Sequence, residues 1–155
     1  MIDSPRITKS SNQQTAAIHI TVPRAEIQKV MGPGLQELQK TLETQGVKTA
    51  GPWFTHHLKM DPKVFDFEIC LPVKAKVAPT GRVKPGSMPG VKVARTVYHG
   101  GYEGLAAAWG ELNAWIEGQE LTMAPDLWEV YLAGPESGSD PAAWRTELNR
   151  PVLSR

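Results

Sequence analysis

Leu127-Trp128-Glu129-Val130-Tyr131-Leu132 is the stretch that decides how this chain is read. Apart from Glu129, every residue in it is apolar or aromatic, a composition that favours a strand. Residues two apart in a strand share a face, so Glu129 and Tyr131 point one way while Trp128, Val130 and Leu132 point the other. A carboxylate inside such a run is costly to bury unless something compensates its charge. Glu129 therefore marks either the solvent side of a half-buried strand or a pocket built around a charge, and the residues alone leave both readings open.

Outward from that strand, Tyr102 to Glu117 carries Leu105, Trp109, Leu112 and Ile116 at helical spacing, and Gly118 closes it. His99-Gly100-Gly101 is a turn before that helix, and Val91 to Tyr98 is a strand before the turn. On the C-terminal side, a loop from Ala133 to Ala143 contains Asp140-Pro141, an N-cap followed by a first-turn proline. Trp144 to Val152 is the last strand.

The first half runs in the same order. Ala16 to Val22 alternates as a strand ended by Pro23. Gly32-Pro33-Gly34 is read as a break, with Pro33 opening a helix whose buried side is Leu35, Leu38 and Leu42 and whose stop is Gly46. Trp53 to Leu58 and Val64 to Leu71 are strands joined by Met60-Asp61-Pro62-Lys63. In the second of them, Phe65, Phe67, Ile69 and Leu71 form the apolar face. Glu68 to Val73 also resembles Glu147 to Val152, and Thr55 and His57 fall where the second half has Glu129 and Tyr131. The expected fold class is α+β: two βαββ repeats about a pseudo-twofold axis, with antiparallel sheets, helices on one side and a central ligand groove. Residues 1–15 are expected to be a flexible tail and residues 16–152 a single domain. Its parts are repeat one (16–73), a connecting loop (74–90) rich in Pro, Gly and Lys, and repeat two (91–152).

Composition narrows the function. The 155 residues carry a net charge of +1, with 41% hydrophobic and 21% charged residues, as in an ordinary globular protein. That balance gives no reason to expect direct nucleic-acid binding or an anionic membrane surface. No run approaches a membrane span and no secretory signal is visible, and with one cysteine, Cys70, the chain reads as cytoplasmic. Cys70 is expected to be a buried, inert thiol. His19 reads as a hydrogen-bonded structural histidine. The adjacent His56 and His57 point to opposite faces of a strand and no Cys, His or Asp spacing completes a site, so neither a metal nor a cofactor is expected. Five tryptophans in this length leave some to line a ligand site.

Several of these residues together resemble one family. His99-x-Gly101-Tyr102 with Leu105 and Trp109 is similar to the His-x-Gly-Pro-Tyr-x-x-Leu-x-x-x-Trp pattern of the GyrI-like small-molecule-binding domains, with Gly100-Gly101 standing where the family has Gly-Pro. Trp128-Glu129-Val130-Tyr131 resembles its Trp-Glu-x-Tyr strand, and Thr146-Glu147-Leu148 with Pro151-Val152 its Thr-Glu-Leu ending. Val22-Pro23 with Glu26-Ile27, Gly51-Pro52 with Phe54, and Met88-Pro89-Gly90 extend the likeness from Ala16 to Val152.

The resemblance implies a domain that takes bulky aromatic, often cationic, compounds, as the effector sensors of multidrug-responsive transcription activators do. The family's buried glutamate maps onto Glu129, and His57 stands where it often has a tyrosine. The expected ligand-binding set is Glu129, Tyr131, Thr55, His57, Phe54, Tyr98, Tyr102 and Trp109, facing a hydrophobic or aromatic small molecule. No helix-turn-helix pattern precedes Ala16, so a stand-alone domain is expected. Within the family there are also hydrolases that open cyclopropane rings and an inhibitor of DNA gyrase. In an enzyme, Glu129 with Tyr131 or Tyr102 would be the catalytic apparatus for adding water to a strained or activated molecule. An interface role like that of the gyrase inhibitor would need an exposed apolar patch.

Overall fold

The computed structural model describes residues 1–134 and 138–154 and is of α+β class, with nine strands and two α-helices among those residues. The chain folds as two compact units. One is Ser11–Gly90; the other joins Met1–Ser10 to Val91–Arg155.

In the unit formed by Ser11–Gly90, the antiparallel strand order is β3 (Phe54–Met60), β4 (Val64–Pro72), β2 (Gln13–Pro23), β5 (Lys84–Met88). Helix α1 (Ile27–Gln45) packs Leu38 and Leu42 against Ile18, Ile20, Phe67 and Ile69, the apolar face of β2 and β4. Asp61 makes the β3–β4 turn, its Oδ1 accepting the N–H groups of Lys63 (2.8 Å) and Val64 (3.3 Å).

In the other unit the order is β1 (Arg6–Lys9), β6 (Lys92–His99), β9 (Arg145–Ser154), β8 (Leu127–Ala133), again antiparallel. The short β7 (Leu121–Met123) pairs with the end of β9. Helix α2 (Leu105–Gly118) buries Ala108, Leu112 and Ile116 against Ala94, Tyr98, Leu148 and Val152. A single 3-10 turn, Tyr102–Gly104, leads into it. The Tyr98 hydroxyl donates to the Gly101 carbonyl (2.8 Å), and a Cβ at position 104 would lie 2.0 Å from that hydroxyl, so only glycine fits there.

The expected helix stop at Gly46 is present, with φ of +67°, the Gly46 N–H on the Glu43 carbonyl and the Val47 N–H on that of Leu42. The Asp140 cap is present too, Oδ1 accepting the Ala142 N–H at 3.0 Å over the 3-10 turn Pro141–Ala143. Of the loop expected from Ala133 to Ala143, residues 135–137 lie outside the described residues.

Three expectations are corrected. Gly32-Pro33-Gly34 does not break the chain: α1 runs through it from Ile27. Pro33 forfeits one N–H bond, but the turn around it packs on the sheet, and a Cβ on Gly34 would come 2.4 Å from Ile69 Cδ1. Residues 1–15 are not a tail, since they hold β1 and the start of β2. Ile2 and Asp3 also bond along β6, where the Asp3 N–H reaches the Val97 carbonyl at 3.0 Å. Residues 74–90 contain β5, where Pro85 is tolerated because the strand lies at the edge of its unit's sheet. No helix is long and apolar enough to cross a membrane, among the described residues.

Candidate functional site

Register decides which side chains meet. On β8, Glu129 lies opposite Leu148 and Tyr131 opposite Thr146 of β9, while Trp128 lies opposite Asn149. Tyr98 of β6 also lies opposite Thr146. Glu129, Tyr131, Thr146 and Tyr98 therefore share the face that α2 covers, and Trp128 is on the reverse face. The α2 stripe brings Trp109 over that face.

Glu129 is 9% exposed. Its Oε2 accepts the Trp109 indole N–H at 2.6 Å and its Oε1 accepts the Tyr131 hydroxyl at 2.9 Å. No Lys, Arg or His pairs with it among the described residues. Burial pushes its carboxyl above the ordinary carboxylate range, and the two donors pull it part of the way back. The Tyr131 ring meets Tyr102 edge to face, with centroids 6.0 Å apart, and Tyr102 lies 5.1 Å from Trp144. Beside Tyr131, the fully buried Thr146 hydroxyl has no hydrogen-bond partner among the described residues. Immediately after Tyr131 the β8–β9 register shifts, a bulge of the kind that re-aims side chains near binding sites.

A second cluster sits in the other unit. Thr55 and His57 lie opposite Ile69 and Phe67, on the face that α1 covers. Thr55 Oγ1 and His57 Nε2 are 3.2 Å apart. The His57 ring stacks on Phe67 (5.3 Å, 16°) and meets Phe65 edge to face (5.5 Å). The Arg24 guanidinium lies 4.4 Å from the Phe65 ring centre. Burial, reinforced by the charges of His56 and Arg24, lowers the His57 pKa to about 4, so the ring is neutral near pH 7. Here too the register shifts just after His57.

The remaining expected residues divide differently. Phe54 is 2% exposed and lies opposite Cys70, on the reverse face of β3 from Thr55 and His57, so the structure does not bring it to them. Tyr98 is buried in the α2 core with its hydroxyl spent on Gly101. Thr146 and Trp144 were not anticipated. Both were read only as residues of the last strand, and it is the cross-strand register that sets Thr146 beside Tyr131.

His19 and His56 face the reverse side of their sheet. His19 Nε2 lies 2.5 Å from Asp66 Oδ1, and His56 Nδ1 lies 3.7 Å from Glu68 Oε1. No group of three or more His, Cys, Asp or Glu residues could hold a metal, among the described residues. Cys70 is buried, which holds its thiol well above the ordinary range. An open cavity of about 730 Å³ lies elsewhere, lined by Ser11, Gln13, Gln14, Val73, Ser87 and Met88 among others. It is lined by no charged group and by none of the residues above, so the chemistry favours the Glu129 cluster over this hollow.

The chain belongs to the GyrI-like small molecule binding domain family, whose model matches residues 3–153. No curated protein matches it. Among solved structures, the EcmrR C-terminal domain is 22% identical with a TM-score of 0.88, covering 98% of both chains. The present chain spans 58% of the EcmrR chain seen in its complex with DNA (TM-score 0.87). SAV2435 bound to tetraphenylphosphonium is 13% identical over 97% of this chain and 94% of that one (TM-score 0.67). A hydrolase from Listeria innocua is 14% identical over 96% and 91% (TM-score 0.68). At these identities the likeness establishes a shared fold.

Proposed function

We propose that this domain binds bulky aromatic cations, with Glu129 as the counter-charge. One observation carries the reading. A carboxylate that is 9% exposed is held only by two neutral donors, and it has no cationic partner among the described residues. Such a group is under-compensated, and a ligand cation beside it restores the ionised form. Each of its oxygens has accepted one donor and retains capacity for another contact. The rings of Trp109, Tyr131 and Tyr102 supply apolar surface and cation–π attraction of about 0.5–2 kcal/mol per contact. The Thr146 hydroxyl adds a buried polar group that a ligand can satisfy. The compound bound to SAV2435, tetraphenylphosphonium, is a cation of this kind.

The test titrates tetraphenylphosphonium and the neutral triphenylphosphine oxide into the wild type and Glu129→Gln. The variant is expected to lose about tenfold or more in affinity for the cation and little for the neutral compound. Equal losses overturn the reading.

A second reading is favoured by the 2.9 Å contact between the Tyr131 hydroxyl and Glu129, an acid and a base already paired. Glu129 would position water and Tyr131 would donate a proton to a strained electrophile, help worth roughly 10²–10⁴ in rate. Mass spectrometry of a cyclopropane-bearing alkylator after incubation decides it: several turnovers lost in Glu129→Gln make the domain a hydrolase, and unchanged compound leaves it a binder.

A further inference from the structure

We infer that the open cavity of the Ser11–Gly90 unit is a peptide-binding notch, a gap at the end of its sheet that takes a short, uncharged peptide segment as an added strand. The inference is independent of the reading of Glu129.

Register shows that the cavity is a gap and not a hollow on one face. Directly opposite residues share a face, so Gln13 of β2 lies with Met88 of β5, and Gln14 lies with Ser87 on the opposite face. Pro72 of β4 lies opposite Thr15 and so shares the face of Gln13, while Val73 shares that of Gln14. All six line the cavity, three from each face. The cause is that β4 leaves β2 early. The Val73 N–H still reaches the Gln14 carbonyl at 2.9 Å, but the next N–H, that of Lys74, turns away to the Lys48 carbonyl at 3.0 Å. From Gln13 back to Ser11, no strand pairs with the main chain on the side that β4 has left, among the described residues.

An unpaired main chain beside a gap is the complement of another main chain, which adds as a strand and exchanges N–H···O bonds with it. Three residues give an edge of about 10 Å. The side chains suit such an occupant. Ser11, Asn12, Gln13, Gln14 and Ser87 carry hydroxyl or amide groups that both donate and accept, as peptide groups do. Asn12 is pre-positioned, its Oδ1 accepting the Gly90 N–H at 2.5 Å. Met88 and Val73 are buried and form an apolar floor for one aliphatic side chain. With no ionised group in the lining, a charged residue in the peptide would lose solvation without compensation.

The experiment titrates a capped Thr-Val-Thr peptide into the isotope-labelled protein and follows amide chemical shifts. Saturable shifts are expected at Ser11, Asn12, Gln13 and Val73. The same peptide N-methylated along its main chain is expected to bind about tenfold more weakly, because its donors are gone. Aspartate in place of the valine is expected to weaken binding several-fold. Ala50→Trp, which fills the notch from its exposed rim, is expected to cost at least about tenfold. No saturable shift up to about 10 mM peptide, or shifts confined to other residues, overturns the inference. So does an N-methylated or aspartate peptide that binds as tightly as the parent, or a folded Ala50→Trp protein with unchanged affinity. Melting curves identify a misfolded tryptophan variant, and the N-methylated peptide on the wild type then decides.

Discussion

Glu129 and His57 are both buried and titratable, and burial moves them in opposite directions. The folded-state pKa of Glu129 is raised, so the folded protein holds its proton more tightly than the unfolded chain does. Its contribution to stability therefore falls as pH rises through the carboxylate range, and levels off above the folded pKa. His57 is the reverse. Its pKa is about 4 when folded against an ordinary 6.5, so the unfolded chain binds the extra proton. Stability from His57 is complete above about pH 6.5 and is lost as pH falls towards 4, by roughly 3–4 kcal/mol at most. Urea denaturation across this range separates the two. Glu129→Gln is expected to steepen the net loss of stability on acidification, because the opposing slope is gone. His57→Gln is expected to flatten it. A His57→Gln profile parallel to wild type would show that the ring is accessible to protons in the folded state.

At the scale of elements, α1 carries the clearest contrast. Gly32 and Gly34 sit two residues apart in the same helix, yet a Cβ at 32 meets nothing within 4 Å, while one at 34 comes 2.4 Å from a fully buried Ile69. Gly32→Ala is expected to change stability by less than about 1 kcal/mol, its helix propensity offset by crowding of the new Cβ against the following Pro33, and Gly34→Ala to destabilise by about 1–3 kcal/mol through overpacking. Chemical denaturation of the pair checks the difference. The same helix shows where reading a sequence stops. The Leu35-Leu38-Leu42 spacing and the Gly46 stop were visible, because they depend on residues close in sequence. That the helix passes through Pro33 was not, because what compensates the lost hydrogen bond is packing on β4. The Glu129–Tyr131 alternation was legible for the same local reason. Trp144 was not, since its meaning lies in a ring from another turn. Phe54 was assigned to the site although period-two alternation had already set it opposite Thr55 and His57.

At the scale of the whole molecule, the two units draw differently on the chain. Ser11–Gly90 is continuous, but the other unit needs Met1–Ser10 as well as Val91–Arg155. Arg6 pairs with Arg95 and Lys9 with Lys92, and upstream the His99 N–H bonds to the Met1 carbonyl (2.8 Å) while the Thr96 hydroxyl bonds to that of Asp3 (2.7 Å). Deleting residues 2–9 is expected to lower the melting temperature by about 5–10 °C, through several lost backbone hydrogen bonds. Hydrogen exchange should show the loss of protection concentrated in β6 rather than in β2 or β4. Uniform loss would mean that β1 supports more than its own neighbour.

The pairing of β1 with β6 also sets an order of events on the ribosome. Arg6 leaves the exit tunnel well before its partner Arg95 has been translated, and at ordinary elongation rates the interval is roughly 5–20 s. The intervening Ser11–Gly90 unit is contiguous and can fold during that wait, whereas β1 has nothing to pair with. A nascent strand left idle that long is a template for cross-chain association unless its side chains discourage it. Arg6, Thr8 and Lys9 do so, two of the three being cationic. The polarity that made this segment look like a tail is what a strand needs when it is made well before its partner.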